Sequence, residues 1–285
     1  MTDALEIPEL PPAKSAAARL MRLRWAAFLL LALFGLLIRL PQLGVRPMHT
    51  DEAINAYIVG QLLAGEPFAY DPQDRHGPAL SALALPLVRM QGAMAFSSLT
   101  ESELRLSTVL AGTVTILLFG AAVEMLGLVP CLIGAFLFAC APLPVYYDRY
   151  FIHESLFVAA SFAFILAAGR ACRQLSVTCA ALAAACAALM LACKETAVLH
   201  FFALAAAALV FWLWNMRGKS LRGFLQPTAA IAAAVVFLLL SVILFTWFGR
   251  NWKALPALLN AIPHLFARAG GEGHQKPFWY YAQLL

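Results

Sequence analysis

Four short stretches hold the side chains best suited to chemistry. MHTDEAINAY (48–57) sets Asp51 and Glu52 side by side, with His49 just ahead. YDPQDRHGP (70–78) gathers Asp71, Asp74, Arg75 and His76 in a turn region rich in Pro and Gly. YYDRYFIHE (146–154) ends in His153-Glu154 directly before an apolar run. CKET (193–196) squeezes Lys194-Glu195 between two apolar runs with no loop around them. A carboxylate can take the proton of an attacking group. Carboxylates also steady an oxocarbenium-like transition state, and cations steady a departing phosphate. Together these groups suit sugar transfer from a phosphate-linked donor.

Each stretch also has a purely structural reading. Thr50 or Asp51 can cap a helix that starts there, with Glu52 in its first turn. Capping accounts for one acid but not for His49-Thr50-Asp51-Glu52 together. The 70–78 stretch also reads as a solvated turn. The tyrosines of 146–150 fit an interfacial aromatic belt. Lys194 and Glu195 could form a neighbouring ion pair.

The rest of the chain must position these groups, and its composition says how. Of 285 residues, 62% are hydrophobic and only 12% charged, with a mean hydropathy of +0.79. The charged share is about half that of a soluble domain. Apolar segments near 25–40, 79–96, 104–124, 129–146, 155–171, 175–192, 197–214 and 228–248 approach the ~20 residues that cross a hydrocarbon core. The expected fold is all-α: a polytopic transmembrane helical bundle. A membrane barrel would show alternation instead of apolar blocks.

The net charge of +5 is not a nucleic-acid signature, because the basic residues cluster at the ends of apolar runs. Residues 1–24 are polar, Pro-rich and then basic, without a secretory cleavage pattern. The six cysteines make no zinc or CxxC pattern. Cys172, Cys179, Cys186 and Cys193 recur every seventh residue and are predicted to share roughly one helix face. Small apolar packing residues suit that spacing.

Topology turns on 79–96, which holds Arg89 near its middle and Pro86 beside it. A central Arg costs about 2.5–3.5 kcal/mol on insertion scales. If this segment lies on the outer surface, the basic clusters Lys14/Arg19/Arg22/Arg24, Arg170/Arg173 and Arg217/Lys219/Arg222 all fall on the cytoplasmic side. If it crosses, the last two clusters fall outside. The first arrangement gives about seven spans. It also gives a long first external loop, about 41–103, carrying membrane-surface helices. The four chemical stretches then share the external side. The domain reading is a cytoplasmic basic tail, 1–24, followed by a transmembrane catalytic domain, 25–285.

MHTDEAINAY, HGP, YYDRYFIHE, CKET and HQKPFWYY, in this order, resemble the GT-C superfamily of membrane glycosyltransferases. That superfamily includes protein mannosyltransferases, aminoarabinose transferases and oligosaccharyltransferases. The chain looks most like a bacterial and archaeal branch labelled flippase-activity-associated proteins. The resemblance covers residues 25–285, the N-terminal catalytic half of such a protein. With QKPFWYYAQLL reading as the opening of another apolar segment, it gives the expectation of a truncated chain.

The resemblance implies a polyprenyl-phosphate-linked sugar donor and a lipid, glycan or protein acceptor on the external face. The setting is a bacterial inner membrane or an archaeal plasma membrane, with membrane lipids as neighbours. It implies Asp51 as the general base, Glu52 as its acidic neighbour and Glu154 as the second acidic residue. Lys194, with Arg149 or Arg75, is expected to meet the phosphate. His49, His76 and His153 complete the expected substrate-binding set. Metal use varies within the superfamily, and Asp51 and Glu154 are the candidate ligands for a divalent ion. No other cofactor is implied.

Two other readings remain open. A lipid-linked-oligosaccharide flippase, or an accessory to one, needs the cations but not Asp51 as a base. An ion-coupled transporter predicts carboxylates at mid-membrane depth, whereas these sit at span ends.

Overall fold

A computed structural model describes residues 13–215, 226–269 and 279. The described residues form helices and turns without a strand. The HQKPFWYY and QKPFWYYAQLL stretches apart from Trp279, the 217–222 basic cluster and the first twelve residues lie outside them.

Four helices are long and apolar enough to cross a membrane. They are α1 (Ala13–Arg39), α4 (Glu101–Leu126), α7 (Glu154–Gln174) and α10 (Pro227–Phe245). A bent pair, α5 (Leu128–Cys140) and α6 (Pro142–Asp148), makes a fifth if counted as one span. The shorter apolar helices α8 (Val177–Cys193) and α9 (Ala197–Asn215) follow α7. Between α1 and α4 run α2 (Thr50–Leu63), α3 (Ala79–Met90) and a 3₁₀ turn at Phe96–Ser98. The amphipathic α11 (Ala254–Ala269) follows α10 and was not foreseen from sequence.

Packing follows side-chain size. The alanine-rich α8 lies against α7 and α10, and α4 lies against α1, α5 and α7. Small residues let backbones approach where lipid supplies no hydrophobic drive between helices. At 12 residues α3 is only about 18 Å long, well short of a hydrocarbon core.

The α5–α6 bend of 60° is written into the APLP of 141–144. Ala141, just before a proline, is extended (φ −63°, ψ 138°). Pro142 has no N–H for the carbonyl of Phe138. Arg39, at the end of α1, supplies the missing donors. Its guanidinium bonds Phe138 O at 2.9 Å and Ala139 O at 2.7 Å, while Nε meets Asp148 Oδ2 at 2.8 Å. Gly112 of α4 leaves room for that carboxylate, since a Cβ there would collide with Asp148. A buried ion pair thus clamps α1 to the start of the 146–154 stretch.

The cysteine stripe needs correcting. The chain breaks at Leu175 (φ 50°) and Ser176, so Cys172 sits on α7 and the other three on α8. Cys186 and Cys193 are buried, Cys172 is exposed, and all are free thiols.

Candidate functional site

The first acidic pair divides its labour. His49, not Thr50 or Asp51, caps α2: its Nδ1 accepts from Asp51 N at 3.4 Å. Glu52 reaches back in a capping box and accepts from His49 N at 3.2 Å. Its carboxylate is fully buried and takes a two-point fork from Arg105 of α4, Nε–Oε1 2.7 Å and NH2–Oε2 2.8 Å. Phe151 N also donates to Oε1 at 2.8 Å. Burial opposes ionisation of Glu52, but the Arg105 fork and the Phe151 and His49 amides outweigh it and hold the carboxyl below its usual range. Glu52 is therefore a positioning residue. It fastens α2 to α4 and to the 146–154 stretch.

Asp51 stands apart. Its side chain is 66% exposed, with His49 Nδ1 3.9 Å from Oδ2. No described donor hydrogen-bonds its carboxylate. The His49 ring packs edge-on against Tyr150 at 5.7 Å. Burial first, and then the charges of Asp51 and Glu52, raise the Tyr150 phenol above its ordinary value. Asn55 Nδ2 bonds Phe151 O at 3.1 Å, a second tie between α2 and this stretch.

The other sequence candidates form a second group. Lys194 and Glu195 do not pair with each other. Lys194 Nζ meets Glu154 Oε1 at 2.8 Å, joining the end of α8 to the start of α7. Glu195 Oε2 lies 3.0 Å from His76 Nδ1, and its Oε1 accepts from the Tyr70 hydroxyl at 2.8 Å. Burial raises the Glu195 carboxyl, but the His76 and backbone hydrogen bonds win and hold it low.

His153 is buried, donates Nε2–H to Gly77 O at 3.2 Å, and stacks edge-on with His76 at 5.2 Å. Burial, then the neighbouring His76, pushes its imidazole down to about 3. Gly77 explains the HGP motif. It packs so closely on the Ala192 backbone that a Cβ would collide. Arg75 Nε lies 3.9 Å from Asp74 Oδ2, and among the described residues it shares no ion pair with the Lys194–Glu154 couple. Arg149 donates NH2 to Pro41 O at 2.6 Å and to Gln42 O at 3.3 Å.

Both groups hang on one segment. Glu52 and Asn55 bond Phe151, and Glu154, three residues on, holds Lys194. Chain reach puts Phe151 and Glu154 within about 11 Å of each other. Beside Glu154 opens a mainly apolar groove of about 310 Å³, lined by Phe138, Leu143, Pro144, Tyr147 and Val158. No three His, Cys, Asp or Glu side chains among the described residues come together to hold a metal ion.

Sequence reasoning passed over Arg39, Arg46, Arg105 and Asp148 as site-building residues. A signal existed for the two most buried, because Arg39 and Arg105 are charges within the ends of predicted apolar segments. No protein-family model matches the chain, and a search of curated proteins finds no match.

Proposed function

We propose that this chain is a GT-C-like membrane glycosyltransferase. It moves a sugar from a polyprenyl-phosphate donor to an acceptor on the external face of a bacterial inner membrane or archaeal plasma membrane. The carrying observation is the contrast within one dipeptide: Glu52 is consumed by Arg105, Phe151 and His49, while Asp51 is 66% exposed. An open carboxylate on an anchored helix start is placed to take a substrate's proton.

In this reading the shorter α8 and α9 cross as well, beside the four long apolar helices and the bent α5–α6 pair, which makes seven crossings. The short α3 lies along the surface. The loop carrying α2 and α3, the 146–154 stretch and the α8–α9 corner then face one side, external by the charge bias.

In the reaction, an acceptor hydroxyl attacks the anomeric carbon and gives its proton to Asp51. The bond from that carbon to the phosphate oxygen breaks, and the polyprenyl phosphate leaves with the electron pair. Lys194, held by Glu154, meets the departing phosphate. The groove beside Glu154 takes the first isoprene units.

The test uses full chain in proteoliposomes with a radiolabelled polyprenyl-phosphate hexose. Transfer predicts release of unglycosylated polyprenyl phosphate and label in an acceptor. Movement of intact labelled lipid between leaflets, with the sugar bond unbroken, points instead to a flippase and overturns the enzymatic reading.

A further inference from the structure

A second cavity, also about 310 Å³, lies where the end of α1 meets the start of α6. Three arginines line it, Arg46, Arg105 and Arg149, and no carboxylate does. Arg105 is spent on Glu52 and on the carbonyls of Leu43 and Arg46. Arg46 and Arg149 are not spent in that way. Arg46 lies 3.5 Å from Glu52 Oε2, makes one long bond to Arg149 O at 3.4 Å, and is 38% exposed. Its guanidinium lies over the neighbouring rings of Tyr146 (5.0 Å) and Tyr150 (4.8 Å), on one side of the pair. Arg149 uses only NH2, on main-chain oxygens. Its Nε and NH1 meet no described partner.

One of those oxygens belongs to Gln42, a non-glycine residue held at φ 55°. Left-handed backbone at such a residue is sparsely populated and gathers at ligand clamps. The remaining wall is apolar, from Leu43, Pro142 and Val145.

We propose that this cavity is an oxyanion site for a phosphate group, distinct from the Lys194–Glu154 pair. Two preorganised guanidinium groups present planar donor pairs that match phosphate oxygens. Contacts with both tyrosine rings restrict Arg46 before the ligand arrives, so less side-chain freedom is lost on binding. The apolar wall suits the glycerol or first methylenes of a lipid whose phosphate sits at the membrane surface. The inference rests on the cavity's charge and shape, not on sugar transfer.

The experiment titrates full chain, in phosphate-free nonionic detergent, with inorganic phosphate, dioctanoyl phosphatidic acid and dioctanoylglycerol by calorimetry. The phosphate-bearing lipid is expected to bind saturably, and Arg46→Gln and Arg149→Gln each to weaken it at least tenfold. The uncharged lipid shows no such binding. Saturation by inorganic phosphate as well identifies a free oxyanion as sufficient. Saturation by the lipid alone identifies a headgroup. Either outcome supports the site. Absence of saturable binding by both overturns it, as does equal binding by an R46Q/R149Q double variant with an unchanged melting temperature.

A wild-type measurement guards against variants that fail to fold. Phenylglyoxal modification of Arg46 and Arg149, mapped by peptide mass, should slow at least fivefold with the bound phosphate probe. Unchanged modification of both arginines sinks the proposal. A null transfer assay, by contrast, leaves this binding result standing.

Discussion

Glu52 and Arg105, 53 residues apart, form a buried two-point ion pair with both partners at most 1% exposed. Around it, the 43–47 loop, the start of α2 and Phe151 are drawn together. Breaking a pair buried this deeply leaves an unmatched charge and costs about 3–5 kcal/mol. Glu52→Ala and Arg105→Ala should both lower the melting temperature sharply. Arg105→Lys should recover little, because an ammonium cannot reproduce the fork. Wild-type melting of Arg105→Lys would show that charge alone suffices here.

Gly112 gives a prediction of sign. Gly to Ala in a helix interior ordinarily stabilises by about 1 kcal/mol. Here the added Cβ meets the Asp148 carboxylate and disturbs its bond to Arg39. Gly112→Ala should instead destabilise by about 1–3 kcal/mol, read by chemical or thermal denaturation in detergent. Stabilisation by this change contradicts the packing described.

His153 sets an acid limit. It stays neutral in the fold down to about 3, against 6.5 when unfolded. Between those values the unfolded chain binds the extra proton. Stability therefore rises as pH rises through that window and is complete above about 6.5. Glu52 and Glu195 lie below their ordinary 4.5, so their contributions fail only at lower pH. The interval from 4.5 to 6.5 isolates His153, whose charged and titratable neighbours are His76, Glu154 and Lys194. His153→Gln should flatten the melting temperature against pH across that interval.

Lys194 separates stability from function. Its pair with Glu154 is partly exposed, at 27% and 38%, so solvent screens it. Lys194→Met should change stability by only about 0–1 kcal/mol. Transfer should nonetheless fall by about 10²-fold or more. A fully active Lys194→Met removes this residue from the phosphate's path.

Much of the architecture was legible because apolar run length is a direct consequence of bilayer thickness. The predicted segments 104–124 and 155–171 fall inside α4 and α7, and 228–248 overruns the end of α10 by three residues. Periodicity could not show that Ala141-Pro142 bends one run into two helices, nor that His49 takes the cap of α2. Both depend on which donors are missing or at hand. The acidic motifs were visible as motifs, but adjacent residues looked alike. Arg105 and Phe151 set Glu52 apart from Asp51, and Lys194 and Glu195 turn to different partners, Glu154 for one and His76 and Tyr70 for the other. Such partners lie 40 to 125 residues away, and one chain read alone does not pair them.

The central claim is that Asp51 is the base. Asp51→Asn keeps the shape of an exposed side chain that holds up no other group, so melting temperature and membrane insertion should match the wild type. Its rate of sugar transfer from polyprenyl-phosphate hexose in proteoliposomes is predicted to fall by at least about 10²-fold. Transfer by Asp51→Asn at close to the wild-type rate contradicts the assignment.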